Sequence, residues 1–215
     1  MSTGGGVLAR LGHALNRALP GLRSLLPKPV KRWILLRVLE VNRDYESFAD
    51  LASRRFLEHD VLPWLRETCP RILFVGTGPY TVHYEKLFAR TPHQYVTIDS
   101  DPAVAVWGAR DHIVAQVQEI GRHRPDGHFD AVVLNGVFGF GVDDPPTMRA
   151  VAAALHAALR PGGRLVLGWN SDVHAAPEEL GVLDEHFAPD RDSPWGFRRT
   201  FPGEFHVNDF YVRRA

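Results

Sequence analysis

The sequence predicts a doubly wound α/β fold, a mostly parallel sheet with helices on both faces, preceded by a helical extension. Three observations carry this reading. From Arg71 onward, short β-rich runs alternate with helical ones, the pattern of parallel strands joined by crossover helices. The first run, Arg71-Ile-Leu-Phe-Val75, passes directly into Gly76-Thr77-Gly78. Such a turn lets the backbone approach a ligand without Cβ collision, while the next helix offers its unpaired N–H groups. The second run, Tyr95-Val-Thr-Ile-Asp99, ends in an acid 23 residues after Gly76, where a carboxylate can accept both hydroxyls of a ribose.

The elements follow in order. Residues 1–6 are glycine-rich, after which Val7, Leu8, Leu11, Ala14 and Leu15 recur at helical spacing. Pro20 and Gly21 stop that helix, Pro27 and Pro29 make a rigid connector, and Val30 to Leu39 restarts with Trp33 and Leu35 or Leu36 on the apolar side. A helix over Tyr45 to Thr68 carries Phe48, Leu51, Ala52, Phe56 and Leu57, and Pro63 bends or divides it. Strands are expected near 71–75, 94–99, 112–117, 130–135 and 163–168, and helices near 80–90, 102–109, 147–160 and 176–186. Phe197 to Phe201 and Phe205 to Arg213 read as an antiparallel pair of strands around Pro202-Gly203.

Composition bounds the function. At 215 residues, 45% hydrophobic and 23% charged, the chain suits one main globular domain. Its 25 basic and 25 acidic residues give no global attraction to nucleic acid. The balance conceals an asymmetry: residues 1–45 hold eight Arg or Lys against Glu40 and Asp44, a charge of +6, leaving −6 on the remainder. Cys69 is the only cysteine, which excludes an internal disulfide and a cysteine-based metal cluster. Scattered histidines have no metal-ligand spacing, so no metal is expected. No apolar stretch approaches the roughly 18 residues needed to cross a bilayer. Arg10, His13, Asn16 and Arg17 interrupt any signal core, and Pro20, Pro27 and Pro29 break a transit-peptide helix, so a cytoplasmic location is expected. Only three of the 25 basic residues are lysines, a bias of GC-rich coding that suggests a bacterial origin.

Four pieces in sequence carry a family resemblance: Gly76-Thr77-Gly78 after strand one; Asp99 at the end of strand two; Phe129-Asp130-Ala131-Val132-Val133-Leu134; and Leu159-Arg-Pro-Gly162-Gly163-Arg-Leu165. In this order the chain, over roughly residues 70 to 170, resembles the class I S-adenosylmethionine-dependent methyltransferases. The resemblance implies a Rossmann-like seven-stranded sheet of order 3-2-1-4-5-7-6, an S-adenosylmethionine-binding domain over 70–215 and a helical extension or lid over 1–69. It also implies cofactor contacts from Gly76, Thr77, Gly78, Tyr80, Asp99, Ser100, Gln116, Asn135 and Gly136. There are departures. The acid many members carry two residues before the first glycine is Phe74 here, the third loop glycine falls at Tyr80 after Pro79, and Gln116 stands where an acid often meets the adenine amine, which its amide oxygen can still accept.

Other readings are weaker. A dinucleotide loop would want a glycine at position 81, where Thr81 stands, and no Gly-Lys-Ser/Thr follows for a phosphate loop. Asp101, before Pro102, suits a helix start better than a ribose. Asp143-Asp144-Pro145-Pro146 likewise reads as a helix cap rather than as a catalytic Asp-Pro-Pro motif. Phe138 and Phe140, among the glycines after strand four, are either an aromatic wall of the site or plain core.

The expected function is methyl transfer to a small-molecule acceptor, with no nucleic-acid partner. A hydroxyl acceptor would benefit from a base, for which His83 and His206 are the candidates; a neutral amine needs none. Two alternatives stand beside it. Gly76-Thr-Gly-Pro79 is similar to the loop of nicotianamine synthases, which transfer the aminocarboxypropyl arm of the same cofactor, and Phe74 with Tyr80 would suit a non-catalytic scaffold. Residues 1–45, with Leu11, Leu15, Trp33 and Leu36 on their apolar face, form either a lid or a peripheral membrane contact.

Overall fold

The computed structural model describes residues 26–38, 50–89 and 94–215. The chain divides into two compact units, Met1–Ser47 and Phe48–Ala215. In the first unit the described segment is a short helix, α1 (Lys28–Trp33), continuing as a π-helical turn over Ile34–Val38. Pro29 sits in its first turn, where a missing N–H does no harm, so the expected connector is the helix start. The helix expected around Leu11 and Leu15 lies outside the described residues, as does the start of the one expected from Tyr45.

The second unit is built on one sheet. Its strands are β1 (Arg71–Val75), β2 (Gln94–Asp99), β3 (Asp111–Val114), β4 (Phe129–Asn135), β5 (Leu159–Asn170), β6 (Phe187–Pro189), β7 (Arg198–Thr200) and β8 (His206–Arg213). The order is β3-β2-β1-β4-β5-β8-β6, with β7 also paired to β8. The first five are parallel and β8 runs antiparallel to β5. This is the expected topology, with β8 as the inserted antiparallel strand and β6 at the edge. The expected hairpin is β7 and β8.

Alternate residues of each central strand serve opposite cores, as period-two geometry dictates. Leu73, Val75, Val96, Ile98, Val132, Leu134, Leu165 and Leu167 face one cluster, covered by a helix over Pro145–Ala158 through Met148, Val151, Ala152 and Leu155. Ile72, Phe74, Ala131, Val133, Val166 and Phe210 face the other, covered by α2 (Ala52–Phe56) and α3 (Leu62–Thr68) through Phe56, Leu57, Val61, Leu62 and Leu65. Between α2 and α3 the chain makes a π-helical turn over Leu57–Val61. The turn directly precedes Pro63, whose ring excludes the ordinary i−4 hydrogen bond, so the proline does interrupt the expected single helix. The start of α2 is capped across the chain, since Ala52 N and Ser53 N donate to the Glu204 carboxylate at 2.6 and 3.2 Å.

Several expected elements differ. The helix at 80–90 is a 3₁₀ turn over Pro79–Thr81 followed by α4 (Glu85–Phe88), and that at 102–109 is a 3₁₀ segment over Pro102–Val106 whose start Asp101 caps. The helix over Pro145–Ala158, α5, begins at the Asp144 cap as expected. Residues 176–186 form turns instead of a helix, because Pro177 removes a donor and Gly181 takes φ +58°. Strand three ends at Val114, short of 117, where Gln116 starts another 3₁₀ segment, Val117–Arg122. Strand five begins at Leu159 because the Pro161-Gly162-Gly163 turn is held inside it as an irregularity in its pairing with β4. No helix among the described residues is long and apolar enough to cross a membrane.

Candidate active site

The site is built where β1 and β4 part from their loops. Gly76 adopts φ +86°, a region that favours glycine, and its N–H donates to Ile98 O. Thr77 N then donates to Asp99 Oδ2 at 2.8 Å, and Asp101 N donates to Asp99 Oδ1 at 3.0 Å. Each carboxylate oxygen thus spends one acceptor site on the backbone and keeps another. The Thr81 hydroxyl accepts from Gly78 N and donates to Gly78 O, which closes the turn and explains why position 81 carries a hydroxyl.

A cleft of about 500 Å³ opens over these loops, a volume in the range of small-molecule sites. Gly76, Thr77, Tyr80, Asp99, Ser100, Gln116, Asn135 and Gly136 line it. Gly78 does not; it is buried with an extended backbone, and a Cβ there would lie 2.7 Å from the Tyr80 ring. Its requirement is the packing of Tyr80. Val137, Phe140, Val142, Gln118 and Thr147 complete the wall. The two phenylalanines divide: Phe138 is fully buried core, whereas Phe140 lines the cleft at 57% exposure.

Among the described residues Asp99 is the only acid in the lining, and neither lysine nor arginine is present there. Asn135 Oδ1 is buried without a hydrogen-bond partner. Phe74 turns away into the core beneath α2, packing edge-on to Tyr84. Among the described residues no group of three histidine, cysteine or acidic side chains converges as metal ligands would.

The two candidate bases part company. His83 does not line the cleft; its imidazole is half-exposed, with Nε2 3.8 Å from Glu58 Oε1. Burial would raise the Glu58 carboxyl, but hydrogen bonds from His83 and Tyr84 hold it below its usual range. His206 does not line the cleft either; it stands on β8, separated by β5 from the cleft-lining β4, with Nδ1 2.8 Å from Asn170 Oδ1. Burial, reinforced by the Arg54 charge, lowers its pKa to about 4.

Sequence reasoning missed Arg54, Asn170 and Asn208 beside His206. Arg54 donates to Tyr84 Oη at 2.5 Å and lies 4.1 Å over the Tyr80 ring, so it bridges the cleft wall to this polar group. A signal was present: Asn208 and Asp209 are consecutive polar residues within an otherwise apolar strand run, Val207 to Val212. Asp209 is accounted for, since it accepts from Trp169 Nε1 and the Arg198 guanidinium.

Residues 73–167 match the family described as a methyltransferase domain. No curated protein matches the sequence. Among solved structures, N-methyltransferase NodS from Bradyrhizobium japonicum WM9, in complex with S-adenosyl-l-homocysteine, aligns with a TM-score of 0.61 at 18% identity, over 81% of this chain and 93% of that one. The 1,6-didemethyltoxoflavin-N1-methyltransferase of Burkholderia thailandensis, with bound 1,6-didemethyltoxoflavin and S-adenosylhomocysteine, gives 0.56 at 16%, over 89% and 92%. A TehB-like SAM-dependent methyltransferase from Corynebacterium glutamicum gives 0.54 at 16%, over 81% and 99%. At these identities the likeness shows a shared fold.

Proposed function

We propose that the chain, whose residues 73–167 match the methyltransferase-domain family, is a class I S-adenosylmethionine-dependent methyltransferase that transfers a methyl group to a small-molecule acceptor. The observation that carries this is the charge of the cleft. Among the described residues its one acid is Asp99 and no cation lines it, which suits an adenosyl cofactor whose sulfonium and ammonium outweigh its carboxylate. A pyrophosphate would find no counter-charge there.

The residues fit that group. The free acceptor sites of Asp99 take the ribose hydroxyls, the Gln116 amide takes the adenine amine, and the unpartnered Asn135 Oδ1 takes the ammonium that Phe74 cannot. Gly76 and Thr77 bring the loop backbone against the ligand. Bound in the cleft, S-adenosylmethionine supplies an electrophilic methyl whose carbon–sulfur bond breaks with its electron pair returning to sulfur. The chain's own contribution is to align an acceptor, exclude water and receive a proton where the acceptor has one to lose. A small acceptor is supported by the Burkholderia neighbour, whose acceptor is one.

A crystal structure with S-adenosylhomocysteine tests the reading. We expect the ribose on Asp99 and the amino group on Asn135; ligand density elsewhere, with this cleft vacant, would overturn it. Product analysis separates the rival chemistry, since methyl transfer leaves S-adenosylhomocysteine and arm transfer leaves methylthioadenosine.

A further inference from the structure

Beside the cleft, on the face of the sheet beneath α2, three residues lie in lateral register: Asn135 at the end of β4 opposite Gly168 of β5, and Gly168 opposite Asn208 of β8. Residues directly opposite share a face, so the missing side chain of Gly168 makes room for the Asn135 side chain. A Cβ at Gly168 would collide with Asn135 Oδ1 and lie 3.0 Å from His206 Nε2, so these two atoms converge over one backbone position. Asn208 is 0% exposed, yet neither atom of its amide has a partner, and Asn135 Oδ1 has none either. A buried polar atom left unpaired costs about 1–3 kcal/mol. The unpaired amide of Asn208, cross-strand from Gly168, marks a place suited to a polar ligand.

His206 supplies the chemistry. The Asn170 amide oxygen can only accept, so the Nδ1 atom 2.8 Å away carries the imidazole proton and Nε2 presents its lone pair. The charged groups nearest the ring are Arg54 from α2 and Glu204 from the β7–β8 turn. Glu204 is held by Ala52 N and Ser53 N at the start of α2. Arg54 disfavours a cationic amine there.

We propose that the acceptor is a neutral hydroxyl compound that binds against this polar group beside the cleft, and that His206 Nε2 is the general base for its methylation. The inference rests on the methyl-transfer reading above. The hydroxyl proton passes to Nε2, the oxygen keeps the electron pair that forms the new bond to the methyl carbon, and the imidazolium then releases the proton to solvent. Asn170 is a positioning residue that fixes the tautomer, while the Asn208 amide hydrogen-bonds the acceptor body and Asn135 Oδ1 stays with the cofactor's ammonium.

Two measurements test this. In the full chain saturated with S-adenosylhomocysteine, nitrogen-15 NMR of the imidazoles between about pH 5.5 and 8 should show His206 neutral, protonated at Nδ1 and bare at Nε2. An Nε2–H tautomer or an imidazolium would overturn the proposal whether or not an acceptor is known. With methyl-labelled S-adenosylmethionine, phenol, catechol and benzyl alcohol are offered against benzylamine and putrescine. Label on a hydroxyl probe, reduced about 100-fold or more in His206→Gln with S-adenosylhomocysteine affinity unchanged, supports the base. Asn170→Asp should then move the acid limb of the pH–rate profile upward from near 4, a shift that mere loss of packing would not give. Label on the amines alone, or undiminished labelling of a hydroxyl probe by His206→Gln, would overturn it. Failure of the wild-type chain to bind S-adenosylhomocysteine would instead remove the underlying reading, which the NMR result does not depend on.

Discussion

Asp99 acts twice, holding Thr77 N and Asp101 N while keeping acceptor capacity toward the cleft. Asp99→Ala should therefore weaken cofactor binding by about 1.5–3 kcal/mol, or roughly 10- to 150-fold, the value of a hydrogen bond to a charged group. Equilibrium dialysis with labelled S-adenosylmethionine measures it, and unchanged affinity in a folded variant would release Asp99 from the role. Gly78→Val should also abolish binding, but by expelling the Tyr80 ring from beneath Arg54, so a structure of the variant should show Tyr80 displaced. These two residues show what the sequence could tell. Asp99 was legible because a strand-end acid has few other uses at that edge of a parallel sheet. Gly78 was legible as a glycine that must remain one, but the obstacle to its Cβ is a side chain two residues on, which no spacing reveals. His83 was misleading because the segment after Pro79 is a 3₁₀ turn, and the imidazole meets Glu58 instead of the cleft.

Asp130 belongs to the scale of the elements, since it joins three strands at the edge opposite the cleft. It accepts from Arg71 N and Nε at 2.9 and 3.1 Å and from Arg160 Nε at 2.6 Å, linking β4 to β1 and to the start of β5. Burial would raise its carboxyl, but the hydrogen bonds from Arg71 and Arg160 hold it below the usual aspartate range. A depressed folded-state value contributes stability above the unfolded pKa of about 3.9, and that contribution is lost as the pH falls through the folded value. Asp130→Asn should cost on the order of 2–4 kcal/mol at neutrality and flatten the loss of stability below about pH 4, read from urea unfolding at both pH values. Leu155→Ala, in the core beneath α5, should cost about 2–5 kcal/mol while leaving cofactor affinity intact. The long elements were legible, α5 from its cap and its apolar spacing and the central strands from their unbroken apolar runs. Residues 176–186 were not: Ala176, Leu180 and Leu183 have helical spacing, yet Pro177 and Gly181 prevent the helix, and the three-residue β6 beyond them is too short to carry a pattern.

At the scale of the whole molecule, the division of charge between residues 1–45 and the remainder asks for a role. We propose that the basic segment is a lid, because closing a methyl-transfer site excludes water. Its removal should preserve cofactor binding and abolish turnover; retained turnover together with lost sedimentation on anionic liposomes would make it an anchor. The topology of the sheet was legible in four motifs, whereas the polar group around Asn135, Gly168 and Asn208 was not, because it arises only when β4, β5 and β8 are laid side by side. The central claim, that a cleft whose described lining bears one acid and no cation binds an adenosyl sulfonium cofactor, meets its most direct test in a calorimetric titration of the full chain with S-adenosylhomocysteine and, in parallel, with nicotinamide adenine dinucleotide. We expect one saturable site for the first and none for the second; no binding of S-adenosylhomocysteine by the folded chain, or a preference for the dinucleotide, would contradict the account.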